Sequence, residues 1–172
     1  MTLRPTWMMP MQCALAGDTK IETPEGALTV KSVAGKAVAV FTRDQDGRTR
    51  FRMIRDARKV ADQQPVLKIT MENGLSFRVG GAQLLYKRGM VEARADAIVV
   101  GDELEAAFHF PSGYRFRDDT RGDERESSGA WRVAGVEPGG AADLYSFAVH
   151  KTERVFLSAG VLAKADGGGE RC

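Results

Sequence analysis

The sequence predicts an all-β protein, one compact domain with a charged surface loop, on three observations. Apolar and polar residues alternate with period two over short segments, turn residues recur at close intervals, and no stretch carries a long helical periodicity. The turn signals are Pro24-Glu25-Gly26, Asp44-Gln45-Asp46-Gly47, Asn73-Gly74, Gly80-Gly81, Lys87-Arg88-Gly89, Gly101-Asp102, Pro111-Ser112-Gly113 and Pro138-Gly139-Gly140. Between them, Phe51 and Met53 alternate with Arg50 and Arg52. Leu67, Ile69 and Met71 fall on the face opposite Lys68 and Thr70. Leu75, Phe77 and Val79 alternate with Ser76 and Arg78, and Tyr145, Phe147 and Val149 repeat the pattern. Such segments read as half-buried antiparallel strands. Asn73-Gly74, set between two of them, reads as a tight hairpin turn. Ala93 to Val100 has room for one short turn of helix.

A chain of 172 residues suits one domain and can bury a core without staples. The domain is expected over 13–166, after a short leader at 1–12 and before a disordered tail at 167–172. Residues 112–130 mix both charge signs with few apolar side chains, so a flexible loop is expected there. A net charge of +2 supplies no field that would recruit nucleic acid or a membrane surface. No apolar run approaches the roughly 18 residues of a membrane span, and the leader is too short for a secretory signal. The expected address is the cytoplasm and the expected state a monomer. The two cysteines, Cys13 and Cys172, form no disulfide framework and are expected as free thiols. No His/Cys cluster has metal-ligand spacing, and Gly167-Gly168-Gly169 opens no helix, so neither a metal nor a cofactor is expected.

The segment Cys13-Ala14-Leu15-Ala16-Gly17-Asp18-Thr19-Lys20-Ile21-Glu22-Thr23-Pro24-Glu25-Gly26 resembles the opening block of Hint domains, the hedgehog and intein superfamily. Val30 to Val38 resembles the family's next strand pair, and Ile98 to Leu104 its later Gly-Asp turn. Tyr145 to Val149 and Val155 to Leu162 resemble its last two blocks. The matches run in family order over most of the chain. The resemblance implies a horseshoe-like β fold of intein-like type, with close chain ends and the cysteine in a central cleft. No segment resembles a homing endonuclease.

In that family the cysteine attacks the carbonyl before it, here that of Gln12, and an N-to-S acyl shift gives a thioester. A thiol suits the step because it is intrinsically nucleophilic and partly ionised near neutrality. The step also needs a general acid for the departing nitrogen, donors for the oxyanion, and a held attack geometry. The sequence departs from the family at these helpers. Gly80 stands at the family threonine position and Gln83 at the family histidine position. Gln83 is available as a hydrogen-bond donor but cannot shuttle a proton. The final His-Asn pair would fall at Lys164-Ala165-Asp166, so succinimide formation is lost. Ser146 replaces an acid. His109 and His150, the only histidines, lie outside the family's histidine position and read as strand-surface residues.

Two functions follow from the resemblance. The first is an intein-like autoprocessing domain that forms a thioester at Gln12–Cys13 and slowly cleaves off its own N-terminal segment without protein splicing. The second is a catalytically inactive Hint module, a pseudoenzyme that binds a peptide or host polypeptide by strand pairing. Trp7-Met8-Met9-Pro10-Met11 could serve as a substrate arm across the cleft, or fray as a terminus. Close chain ends would also permit a Cys13–Cys172 disulfide that blocks the nucleophile until reduced. The cofactor expectation is none.

Overall fold

A computed structural model describes residues 13–107, 113–118, 122–127 and 129–166. Its strands are β1 (Leu15–Ala16), β2 (Lys20–Thr23), β3 (Gly26–Thr29), β4 (Ala39–Arg43), β5 (Thr49–Met71), β6 (Ser76–Gly80) and β7 (Leu84–Lys87). They continue with β8 (Val91–Arg94), β9 (Glu103–Glu105), β10 (Arg115–Asp118), β11 (Asp123–Glu126), β12 (Ala130–Val149), β13 (Arg154–Phe156) and β14 (Leu162–Lys164). One antiparallel sheet runs β13-β14-β7-β9-β12-β1-β6-β5-β4, with β8 beside β7. Strand β12 also pairs with β5, from Val133 opposite Met71 to Val149 opposite Ile54, so the path β5-β6-β1-β12 closes on itself. Among the described residues no helix is long and apolar enough to cross a membrane.

The two long strands curve because their ladder is broken repeatedly. Register shifts fall between Pro138 and Ala141, Ala142 and Leu144, and Ser146 and Ala148. Bulges bend a strand and raise its twist. On β5, Asp56 and Gln63 take positive φ, 56° and 40°, opposite two of these shifts. Such backbone is costly for residues with a side chain. Local bonds offset the cost: Asp143 Oδ1 accepts from Gln63 N at 2.9 Å and from its Nε2 at 3.1 Å. Pro65 and Pro138, which cannot donate to a ladder, sit in the same stretches. The hairpin expected at Asn73-Gly74 is present. Gly74 has φ +83°, and Leu75 N donates to Asn73 Oδ1 at 2.9 Å.

The core gathers Ile21, Ile54, Ile69, Leu85, Leu104, Val155 and Leu157 from strands across the chain. Three local expectations need correction. Val30–Val33 is a 3-10 helix and not a strand; Ser32 Oγ donates to Thr29 O at 2.7 Å, and Val30 and Val33, three apart, bury on one face. Phe51 and Met53 are exposed, because the adjacent Ile54 takes the buried face, and Phe51 packs on Phe41 with ring centroids 4.6 Å apart. Within 112–130, strands β10 and β11 form a separate two-stranded ribbon. Cross-strand partners Arg115–Glu126 and Arg117–Glu124 set opposite charges face to face, which favours pairing without a core. The short helical turn allowed between Ala93 and Val100 is a 3-10 turn at Ala95–Ala97.

Candidate functional site

Cys13 leads directly into β1, and β1 lies between β6 and β12: Leu15 pairs with Val79 on one side and Tyr145 on the other. Gly80 N donates to Ala14 O at 3.0 Å, and Gly17 N to Asp143 O at 3.1 Å. These bonds fix the backbone on both sides of the cysteine, which is only 3% exposed. Its pocket is bounded by Gln83, Tyr145, Ser146, Lys164 and Ala165, and no water-sized space remains in it.

Gln83 is fully buried at the turn from β6 into β7. Its Nε2 donates to Leu84 O at 2.8 Å and to Lys164 O at 3.0 Å. Both donors are therefore engaged by backbone, while Oε1 is buried with no partner among the described residues. Exchanging the amide ends would set the oxygen against two carbonyl oxygens, so the acceptor is the atom left over. Gly80 has no need to be glycine. A Cβ there would stand 3.5 Å from Ala14 O and from Leu144 Cδ1, ordinary contact distances.

Ser146, where the resemblance expected an acid, meets a carboxylate contributed by Asp166. Ser146 Oγ donates to Asp166 Oδ2 in a long bond of 3.3 Å. Asp166 is only 4% exposed and lies 3.8 Å from Arg58 Nη2, a buried nitrogen without a hydrogen bond of its own. Backbone bonds hold Asp166 beside β12: its N–H donates to Phe147 O at 3.1 Å, and Val149 N donates to its O at 2.8 Å. Lys164 also borders the pocket, but its Nζ turns to Glu92 Oε1 at 3.0 Å. Burial works against the ammonium, and the bond and charge of Glu92 outweigh it, so the pKa is raised and Lys164 stays protonated. It is no base near neutrality.

Of the residues singled out from sequence, Cys13, Gly80 and Gln83 come together around the start of β1. Gln12, His109 and Cys172 lie outside the described residues, as do the leader 1–12 and the tail 167–172. His150 sits in an exposed turn after β12, away from the ladder. Asp166 entered the sequence reading only as a lost asparagine. Its pairing with Ser146 depends on a contact between residues twenty apart that no local pattern announces. The expectation of free thiols is corrected: Cys13 is disulfide-bonded. No group of three or more His, Cys, Asp or Glu able to hold a metal occurs among the described residues.

No family model matches the sequence, and no curated protein matches it. Solved structures do match the fold. A DnaB intein from Synechocystis has a TM-score of 0.68 at 9% identity, covering 89% of this chain and 98% of that one. A DnaX mini-intein from Spirulina platensis gives 0.65 at 14% identity, covering 89% and 99%. A bacterial intein-like domain from Clostridium thermocellum gives 0.64 at 17% identity, covering 90% and 99%. The chain has the Hint fold, the all-β architecture of inteins and intein-like domains, as a single compact domain.

Proposed function

We propose that the domain is autoprocessing, forming a thioester at Gln12–Cys13 by an N-to-S acyl shift and slowly releasing the N-terminal segment without splicing. The observation that supports it is the position of Cys13, buried at the head of a strand clamped between β6 and β12. In the reduced form Sγ attacks the Gln12 carbonyl carbon. The tetrahedral intermediate collapses by breaking the C–N bond, and the proton first taken from the thiol is returned to the departing Cys13 nitrogen. Water or an added nucleophile then takes the acyl group from sulfur.

The neighbours divide the remaining work. Ser146, oriented by donation to Asp166, keeps its lone pairs free to accept the thiol proton. Asp166 is the carboxylate toward which that proton is passed, and Arg58 stands beside it. Gln83 Oε1 can accept an N–H donated into the pocket, and with both donors engaged it offers nothing to an oxyanion. Loss of a general acid or base typically costs 10²–10⁴ in rate, so the reaction is slow.

The test is the intact mass of the reduced chain over days with hydroxylamine, beside Cys13→Ala. Loss of Met1–Gln12 in the parent and not in the variant is the expected outcome. An unchanged mass in both would favour the second reading, an inactive Hint module that binds a peptide. The engaged donors of Gln83 and the filled pocket are what favour that reading.

A further inference from the structure

We infer that the open edge of β4 is a docking site for an extended peptide strand, one that carries an aliphatic side chain and, two residues along, a carboxylate. The inference stands apart from the acyl shift, since none of the residues it uses borders the Cys13 pocket.

Strand β4 ends the sheet and pairs only with β5. The phase of that ladder says which of its backbone groups are unused. Ile54 N donates to Val38 O at 2.9 Å, in the register that sets Ala39 opposite Met53. Residues of an antiparallel strand alternate between bonding to the partner and pointing away from it. Ala39 is therefore in the outward phase. Arg43 shares that phase, and its carbonyl accepts from Arg154 Nη1 at 3.3 Å. This bond, with that from Thr42 Oγ1 to Arg154 O at 2.6 Å, closes the far end of the edge against β13. The near end stays open: Ala37 makes no backbone hydrogen bond among the described residues.

A groove of about 280 Å³ lies beside this open stretch. It is bounded by Ala37, Ala39 and Met53 and by Pro24, Glu25 and Leu28 of the β2–β3 hairpin. Open edges accept an added strand, with main-chain bonds supplying affinity and pockets for alternate side chains supplying specificity. The apolar walls select an aliphatic side chain, which would cover Met53, otherwise 48% exposed. Charge selects the next one. Arg55 is exposed, shares the outward face of β5 with Met53, and has no ion pair among the described residues. Lys36, next to Ala37 in the chain, is likewise exposed and unpaired. The acid on the wall, Glu25, belongs to the hairpin, so the carboxylate of the peptide belongs at the Lys36 and Arg55 end. Side chains two apart on an extended peptide share a face, which gives the spacing. No aromatic ring borders the groove for a base to stack on, which favours a peptide over single-stranded nucleic acid.

The experiment uses the full chain and a short fluorescent threonine peptide with one valine and one glutamate two residues apart. Its companions are the same peptide with lysine for glutamate, an N-methylated copy that cannot pair through its backbone, and a single-stranded oligonucleotide. Fluorescence anisotropy reads binding, and amide hydrogen exchange reads Ala39. Saturable binding of the acidic peptide is expected, with slowed exchange at Ala39, several-fold weaker binding of the lysine peptide and none of the N-methylated one. Ala37→Trp, which fills the groove from an exposed position, should abolish binding. Arg55→Glu, on an exposed side chain that folding does not need, should weaken it several-fold and turn the preference toward the lysine peptide. No saturable binding, equal binding of the N-methylated copy, or unchanged binding in folded Ala37→Trp or in Arg55→Glu would overturn the inference. So would tighter binding of the oligonucleotide, or protection of Ala39 by self-association of the chain alone.

Discussion

At the scale of single residues, the proposed chemistry rests on Cys13 as nucleophile, with Gln83, Ser146 and Asp166 around it. Gln83→His, which restores an imidazole beside Cys13, should raise the cleavage rate of the reduced chain by about 10²–10⁴. Mass spectrometry over hours would show it. Gly80 has space for a Cβ, so Gly80→Ala can be combined with it at little steric cost. Asp166→Asn and Ser146→Ala should each slow cleavage while leaving thermal unfolding of the reduced protein comparatively unchanged; equal rates would remove the Ser146–Asp166 relay from the mechanism. Cys13, Gly80 and Gln83 were legible in the sequence because they fall in or at fixed distance from a recognisable block. The Asp166 partnership was not, because a side-chain bond across a sheet leaves no trace in spacing. The tying of both Gln83 donors to Leu84 O and Lys164 O was equally hidden, since it follows from where β14 ends.

At the scale of elements, the bulged ribbon of β5 and β12 positions everything else. A Cβ at Gly139 would come within 3.1 Å of Lys68 N and 3.2 Å of Val66 Cγ2. Gly139→Ala should therefore cost about 1–3 kcal/mol, the usual range for overpacking, measured by denaturant unfolding. The turns of these strands carry an acid dependence. The hydrogen bond from Arg50, then that from Arg48 N, holds the Asp44 carboxyl below its ordinary value. The bonds from Gln63 do the same for Asp143. A carboxyl depressed in the folded state stabilises fully above its unfolded value, near 4, and loses that contribution as pH falls through the folded one. Stability should thus fall on acidification below about pH 4, with a shallower fall in Asp143→Asn. Period-two alternation revealed β6 and the C-terminal half of β5. It misled at Phe51 and Met53: the alternation is there, but the inward face carries Arg50, Arg52 and Ile54, and the apolar pair lies on the outward one.

At the scale of the whole molecule, the all-β class was readable because turns and alternation are local signals. The closed path β5-β6-β1-β12 was not, because it is made by registers between distant segments. Strand β1 has a further consequence. It is translated well before its flanking partners, Val79 and Tyr145. The cysteine therefore has no formed pocket on a nascent chain. On the proposed chemistry, cleavage before Cys13 reports that translation has run past β12 and that β1 has found both of its partners. A copy stopped before β12, or misassembled, would stay uncleaved.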